Sequence, residues 1–278
     1  MKMTRNIALI FVMSLLLVGC SKVDKLINSN DFDAKYEAAM RYYNDNSFSK
    51  AIQLFENLTL HYRGRENAEN IAWYYAQSLY QEKDYYTAGY QFKRFARQFP
   101  YSEHAEEAVF LSAYCKYIDS PIYSLDQSMT REAISDMESF AERYPRSNHI
   151  PEVNRYLDEM REKLMKKDYE IAYGYYFIEE YSAAYESFKN FLSLYPEAPQ
   201  REDAMFYQLE AGYKYAIGSQ EEKQRERLQH VVNDFERFSS SFANSKRLAA
   251  AQHIYTKARA ALTDMEVRSE RGKMKEEK

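Results

Sequence analysis

The amino-acid sequence predicts an all-α protein, an α-solenoid of about five helix-turn-helix repeats closed by a C-terminal capping helix. Three observations support this fold class. The helical period of apolar side chains continues from about residue 32 to about residue 262 with little interruption. Only 7 glycines and 6 prolines occur among 278 residues, too few for the many turns of a β-sandwich or barrel. A short cassette of apolar residues also recurs along the chain.

The recurring cassette is an alanine followed by a large apolar residue four positions later and a second one three positions after that. These offsets place all three side chains on one face of a helix. The alanine lets a neighbouring helix approach closely, while the large residues fill the space between the helices. In three of the four copies a proline follows five positions later and ends the helix. The copies are Ala51-Phe55-Leu58, Ala88-Phe92-Phe95-Pro100, Ala133-Met137-Phe140-Pro145 and Ala184-Phe188-Phe191-Pro196.

An amphipathic helix precedes each cassette, and a fifth such helix follows the last one. Helix, short turn, helix and a proline stop form the pattern of the tetratricopeptide repeat (TPR), about 34 residues long in its pure form. The cassette alanines are 37, 45 and 51 residues apart, which indicates insertions near 120–128 and 148–166. A degenerate fifth repeat is predicted to end near Phe242. The alternative is a plain helical bundle whose apolar stripe recurs.

The repeats divide into two predicted groups. Residues 32–147 form the N-terminal repeats 1–3, and residues 148–262 form repeats 4–5 with a capping helix over 245–262. Residues 263–278 are almost all charged or polar, so we expect a disordered tail there.

The first twenty residues have the order of a bacterial lipoprotein signal peptide. Lys2 and Arg5 precede an apolar run over 7–18, and Gly19-Cys20 follows it. Twelve helical residues rise only about 18 Å against roughly 30 Å of hydrocarbon core, which favours a cleaved signal over a permanent span. We expect removal of residues 1–19, a lipid anchor on Cys20 and a tether over 20–31. The alternative is an ordinary signal peptide or a start-transfer anchor.

Composition and motifs argue against several function classes. The net charge is −4, which gives no indication of a nucleic-acid partner. The five histidines are scattered without metal-ligand spacing, and neither a Gly-rich phosphate loop nor a Gly-x-Ser-x-Gly motif occurs. Cys115 lies on an apolar helix face, as expected for an inert buried thiol. We therefore expect no enzyme activity, no cofactor and no metal.

The first helices of a TPR stack line its concave groove, and projecting the helical period places aromatic, methionine and amide side chains there. Such a wall suits an extended peptide, because rings bury apolar side chains while amides bond to the peptide backbone. The alternative is that the aromatic residues form the core of the repeats. The predicted peptide-groove residues are Tyr36, Met40, Tyr43, Asn44, Asn70, Trp73, Gln77 and Tyr80.

Two stretches around the third cassette carry a family resemblance. Asp126-Gln127-x-x-Thr130-x-x-Ala133 leads into it, and Arg143-Tyr144-Pro145-x-Ser147 ends it. Together with the Gly-Cys signal, the repeat number and the insertion, these stretches make residues 20–245 resemble the BamD family. Its members are TPR lipoproteins of the outer-membrane β-barrel assembly (BAM) machinery.

The resemblance implies a scaffold on the periplasmic side of the outer membrane, held there by the lipid on Cys20. It implies that the C-terminal repeats dock the periplasmic domains of a BamA-like β-barrel insertase, and that the N-terminal repeats receive unfolded outer-membrane proteins. Asp126 and Gln127 are candidates for partner docking. The alternative is a helix N-cap in this loop, with Thr130 capping a helix that begins at Arg131. Tyr175 and Glu179, at the turn of the fourth repeat, are two further candidates. A TPR lipoprotein that binds glycans or coordinates cell-wall synthesis at the envelope is the alternative function.

Overall fold

The computed structural model describes residues 21–62 and 66–276, and all twelve regular elements in these ranges are helices. The predicted signal peptide and the lipidation of Cys20 lie outside the described residues. The helices are α1 (Ser21–Ile27), α2 (Phe32–Asn44), α3 (Phe48–His61), α4 (Ala68–Gln81), α5 (Tyr85–Gln98), α6 (Ala105–Asp119), α7 (Ser128–Arg143), α8 (Ile150–Phe177), α9 (Tyr181–Leu194), α10 (Arg201–Ile217), α11 (Glu221–Ser241) and α12 (Leu248–Glu276).

The chain forms two compact units that meet between Met160 and Arg161, inside α8. In the first unit, each helix from α2 to α7 packs against the next one, and in the second unit the same holds from α9 to α12. The first helices of successive repeats also touch, α2 with α4 and α10 with α12. This pairwise stacking is that of a TPR-like α-solenoid, so the predicted fold class is confirmed.

The cassette predicted from the sequence forms the core of the second helix in each repeat. Its twelve apolar side chains, in α3, α5, α7 and α9, are all at most 1% exposed. In the fifth repeat, Val231, Phe235 and Phe238 of α11 are buried at the same spacing. Valine replaces the alanine there, which is why the pattern looks degenerate in the sequence.

The turn between the two helices of a repeat uses one left-handed residue. Asn46, Lys83 and Glu179 have φ values of 55°, 65° and 64°. The following helix is capped in the second repeat by Asp84, whose carboxylate accepts the backbone N–H of Thr87. The same turn therefore closes repeats 1, 2 and 4, although none of the three positions is a glycine.

The turn after the second helix also recurs. The hydroxyls of Ser102, Ser147 and Ser245 accept the N–H group two residues later. That second residue covers an aromatic ring of the preceding first helix. The pairs are His104 on Trp73, His149 on Phe110 and Arg247 on Phe206. Since α11 ends before Phe242 and the same turn follows it, the fifth repeat ends where the sequence predicted.

The 28-residue length of α8 has a packing explanation. Its first half buries Val153, Tyr156 and Met160 in the core of the first unit, where it covers the third repeat. Its second half buries Ala172 in a core of the second unit, where it is the first helix of the fourth repeat. The first half of α8 therefore caps the third repeat, and its second half belongs to the fourth repeat. The insertion predicted over 148–166 corresponds to the first half of this helix.

Two boundaries differ from the sequence-based expectations. The last helix, expected over 245–262, begins at Leu248 and extends to Glu276, so most of the segment expected to be a disordered tail is helical. Its Glu, Lys, Arg and Met residues are good helix formers, and the alternation of charges that suggested disorder is compatible with a solvated helix. The division between units falls after Met160 rather than after residue 147, because the first half of α8 packs on the third repeat.

The loop before α7 is held together by Gln127, which is buried. Its amide Nε2 donates to the carbonyl oxygens of Ile122 (2.8 Å) and Leu125 (3.1 Å), and its Oε1 accepts from the Thr130 hydroxyl (2.7 Å). The helix begins at Ser128, three residues before the predicted start at Arg131, so Thr130 lies in the first turn and is not the cap.

Substitution of Gln127 by alanine is expected to lower the free energy of unfolding by about 1–3 kcal/mol, because it removes the three buried hydrogen bonds that this side chain makes within the loop. Urea unfolding monitored by far-UV circular dichroism measures this loss. Substitution of the exposed neighbour Ser128 by alanine serves as the control and should change stability by less than about 0.5 kcal/mol. Equal effects of the two substitutions would contradict the structural role of Gln127.

Candidate functional site

The first helices of repeats 1 and 2 bring part of the predicted peptide groove together. The Tyr43 ring lies edge-on to the ring of Tyr74 at 4.9 Å, and the Asn70 amide lies beside the Tyr36 hydroxyl. Burial raises the pKa of both Tyr36 and Tyr43, so the two phenols stay neutral donors at physiological pH. Asn44 and Asn70 are exposed, which leaves amide groups beside aromatic rings on one face of α2 and α4.

Trp73 does not lie on this face, and its burial fits the alternative that it belongs to the core of the repeat. The residue is only 8% exposed. Its indole lies 5.7 Å from Phe92 and 5.4 Å from Phe95, and His104 stacks on it at 4.3 Å. A first helix of this fold buries one stripe against its own repeat, and Trp73 lies on that stripe. Met40 and Gln77 are half-buried.

Tyr80 belongs to a second aromatic set, which we call the tyrosine ladder: Tyr80, Tyr114, Tyr117 and Tyr156. Tyr117 and Tyr156 are 4.3 Å apart, and Tyr114 lies 5.1 Å from Tyr156. Burial raises the pKa of Tyr80 to about 12, and the nearby Tyr114 contributes to this shift. The ladder residues lie on α4, α6 and the start of α8. The Tyr36–Asn70 contact joins repeats 1 and 2, whereas the ladder joins repeats 2 and 3 and the first half of α8.

Charged groups border one end of the ladder. The Tyr117 hydroxyl donates to the Glu159 carboxylate, and Arg155 forms an ion pair with the same carboxylate at 2.9 Å. The Arg155 guanidinium also lies 4.5 Å from the centre of the Tyr156 ring. Burial and the neighbouring Glu159 raise the pKa of Tyr117 to about 12. The result is an aromatic surface with one cation and one carboxylate at its edge, which suits the side chains and polar termini of a peptide.

Tyr114, Tyr117 and Tyr156 were missed in the sequence-based set. The signal was available, because the helical projection that selected Tyr80 could have been extended to the third first-helix. Tyr156 was harder to find, since it lies in an insertion that gave no sign of packing on the third repeat.

The two docking candidates near α7 have different environments. Gln127 is buried and holds the loop, so its side chain is not available to a partner. Asp126 is exposed and accepts the backbone N–H of Ser128 at 2.9 Å. Asp126 therefore fits the capping alternative, in a loop whose shape Gln127 fixes.

The two docking candidates in the fourth repeat lie beside exposed apolar side chains. Ile171, Gly174, Tyr175 and Ile178 follow the spacing of one helix face, and we call this set the apolar stripe. All four are exposed, and open space lies around Gly174 where a side chain would project. Phe177 beside it is 76% exposed. Glu179 follows directly, in the left-handed turn conformation. The equivalent turn of the second repeat is polar, with Gln81, Glu82 and Lys83.

An exposed apolar face of this kind needs an explanation, because soluble surfaces seldom carry contiguous large apolar side chains without a binding role. The helical spacing was visible in the sequence. The exposure of Ile171, Phe177 and Ile178 was not, since a buried stripe has the same spacing.

Cys115 is buried against Gly89, where a side chain would approach the cysteine Cβ to 3.0 Å. Burial raises the pKa of the thiol to about 12, and Asp119 adds to the shift. The close approach of α5 and α6 at this point explains why the sequence carries glycine there. The described part of the chain contains no group of three metal-ligating side chains. It also contains no helix with the length and apolar character needed to cross a bilayer.

The Cys115 thiol is expected to react with a disulfide reagent only when the fold opens, because the thiolate is the reactive form and burial suppresses it. Labelling of a Cys20→Ala variant at pH 8 should be more than about a hundredfold slower in buffer than in denaturant, since local opening of a core helix is rare. Fast labelling in buffer, comparable to that of a free thiol, would contradict the burial of Cys115.

Comparisons with known proteins give one informative match. No curated protein was found to match the chain. A solved structure of a Podospora anserina kinesin light chain-type protein with nearly identical TPR-like repeats is similar over 77% of this chain and 96% of its own, with 12% identity and a TM-score of 0.32. The family described as YfiO, outer membrane lipoprotein, matches residues 29–228. This match covers repeats 1 to 4 and the start of the fifth, so the chain belongs to the YfiO (BamD) family of outer membrane lipoproteins.

Proposed function

We propose that the chain is a lipid-anchored scaffold of the β-barrel assembly machinery, placed on the periplasmic side of the outer membrane through Cys20. In this role it docks a BamA-like insertase through the periplasmic domains of that protein and receives unfolded outer-membrane proteins. It makes and breaks no covalent bond. Membership of an outer membrane lipoprotein family with TPR-like repeats supports the proposal, because such repeats bind proteins through preformed surfaces.

The apolar stripe of the fourth repeat is the observation that carries the docking part of the proposal. Ile171, Tyr175 and Ile178 give a row of apolar side chains, and Gly174 leaves room between them for a side chain of the partner. Hot spots of protein interfaces are apolar or aromatic groups of this kind with polar residues around them. Glu179 supplies a carboxylate at the rim, where it would set orientation more than affinity.

The face formed by Tyr36, Tyr43, Asn44 and Asn70, together with the tyrosine ladder, supports the substrate part of the proposal. The terminal strand of a barrel protein alternates apolar and polar side chains, so one of its edges can lie on rings. Exposed amides at Asn44 and Asn70 can bond to its free backbone groups. Arg155 at the edge of the ladder offers a cation to a terminal carboxylate.

A crosslinked pulldown from solubilised outer membranes tests the proposal, with the full chain tagged at its C-terminus. We expect recovery of a large barrel protein with several periplasmic domains. A Cys20→Ala variant should recover less of it, because the anchor raises the effective concentration beside the partner. Recovery of only peptidoglycan-binding or glycan-utilisation proteins would contradict the proposal and favour a glycan or cell-wall role.

A further inference from the structure

A groove on the first unit, away from the tyrosine ladder, has a chemistry that the proposed function does not use. It lies between α5 and α7, the second helices of repeats 2 and 3, and α6 forms its floor. Its volume is about 400 Å³, enough for one or two large side chains. The lining residues are Lys93, Ala96, Arg97, Pro100, Val109, Ser112, Asp136, Ser139 and Arg143. We call it the cationic groove.

The charges of the groove do not cancel. Its one carboxylate, Asp136, is bound by Lys116 from behind at 2.9 Å and lies 3.6 Å from Lys93. Arg97 is exposed and forms no ion pair or hydrogen bond within the described part of the chain. The Arg143 guanidinium lies 5.3 Å from the centre of the Tyr144 ring and forms no ion pair with the residues that the structure describes. The groove therefore presents two guanidinium groups without a carboxylate partner, in a protein whose net charge is −4.

The floor between these cations is apolar. Ala96, Pro100 and Val109 line it, and the small side chain of Ala96 is what leaves the space open. An apolar depression flanked by cations can bind an apolar side chain with acidic neighbours, because the ring or aliphatic group fills the depression while carboxylates pair with the guanidinium groups.

The second unit contains the matching groove at the equivalent positions of repeats 4 and 5, and its chemistry differs. Leu192 stands where Ala96 stands, and Ser193 replaces Arg97. The cations there already have partners. Lys189 pairs with Glu186, Arg237 pairs with the buried Asp234, and Arg201 donates to the Pro196 carbonyl oxygen. The unpaired cations and the open floor are thus features of the first-unit groove and not consequences of the repeat geometry.

We propose that the cationic groove binds an acidic peptide segment of a partner protein, with one large apolar side chain of that segment over Ala96 and Val109. The carboxylates on either side of the apolar side chain pair with Arg97 and Arg143. The groove shares no residue with the apolar stripe or with the tyrosine ladder, so it gives the scaffold a further protein contact.

Fluorescence anisotropy of a short labelled synthetic peptide, acidic with one central phenylalanine, tests the proposal on the full chain in detergent. We expect saturable binding that weakens as salt rises. An Arg97→Glu variant should bind at least about tenfold more weakly. A Lys189→Glu variant changes the net charge equally in the matching groove of the second unit, and it should bind like the unsubstituted protein.

A second variant tests the apolar floor. Ala96→Leu copies the residue that the second unit carries at this place, so the fold should tolerate it. It should also weaken the binding at least about tenfold by filling the depression. Pulldown of the barrel insertase by Arg97→Glu should be unchanged, which separates this proposal from the proposed function.

Three results would overturn the inference. The first is failure of the acidic peptide to bind. The second is binding that Arg97→Glu and Lys189→Glu reduce equally, which would mean a diffuse charge effect. The third is binding of the chain to anionic phospholipid vesicles through Arg97 and Arg143 with no binding of the peptide, which would make the groove a membrane contact.

Discussion

Substitution of Ile178 by aspartate is expected to abolish capture of the barrel insertase by this chain while the fold remains intact. Ile178 is 63% exposed at the end of the apolar stripe, so the protein itself loses little packing. In a complex the new carboxylate would be buried among apolar groups, and an unpaired buried charge is costly. We expect at least a tenfold reduction in the insertase recovered per molecule of bait, equivalent to about 1.4 kcal/mol or more.

Leu194→Asp is the matched control for this prediction. Leu194 is 65% exposed, lies at the end of α9 in the same unit and is not part of the apolar stripe. The substitution adds the same charge at a similarly exposed apolar position, so it should leave recovery unchanged. Thermal unfolding of both variants should match that of the unsubstituted chain within a few degrees. If the Ile178→Asp and Leu194→Asp variants recovered equal amounts of the insertase, the apolar stripe would not be part of the docking surface.

The repeat core could be predicted from the sequence because its signal is redundant. Ala88, Phe92 and Phe95 repeat an arrangement that occurs three further times, twice with the proline, and each copy meets the same packing requirement between two helices. If one copy departs from the pattern, the other copies still show where the helices of that repeat lie. The same redundancy fixed the end of the fifth repeat at Phe242 despite the loss of alanine and proline.

The surfaces could be predicted only in part, since a first helix of a TPR packs on more than one side. By helical spacing alone, Tyr36 and Trp73 are equally good candidates for the groove. In the structure Tyr36 borders an exposed amide, while Trp73 is enclosed by two phenylalanines and a histidine. Which stripe faces inward depends on the rotation of each helix against its neighbours, and that rotation is a property of the whole stack. For the same reason the apolar stripe at Ile178 could have been taken for core.

Substitution of Trp73 by alanine is expected to lower the free energy of unfolding by about 3–5 kcal/mol, the usual cost of removing a large buried aromatic side chain. The indole contacts Phe92 and Phe95 and supports the ring of His104. Its loss would therefore loosen the packing of α4 on α5 and the turn that leads into α6. Urea unfolding monitored by far-UV circular dichroism measures the change. Because the chain has two compact units, the analysis must allow for two transitions.

Asn70→Ala is the counterpart that separates a core role from a groove role. Asn70 lies one turn earlier on the same helix, is exposed and lies beside Tyr36, so the loss of its amide should cost less than about 0.5 kcal/mol of stability. If the α2–α4 face receives a barrel-protein strand, Asn70→Ala should weaken binding of a synthetic terminal-strand peptide severalfold without unfolding the repeat. If a Trp73→Ala variant kept its stability but no longer bound the peptide, Trp73 would be a groove residue and not a core residue. We expect Trp73→Ala to lower the free energy of unfolding and Asn70→Ala to weaken peptide binding. Together these results would show that Trp73 belongs to the core and Asn70 to the binding surface, although the two lie within one turn of α4.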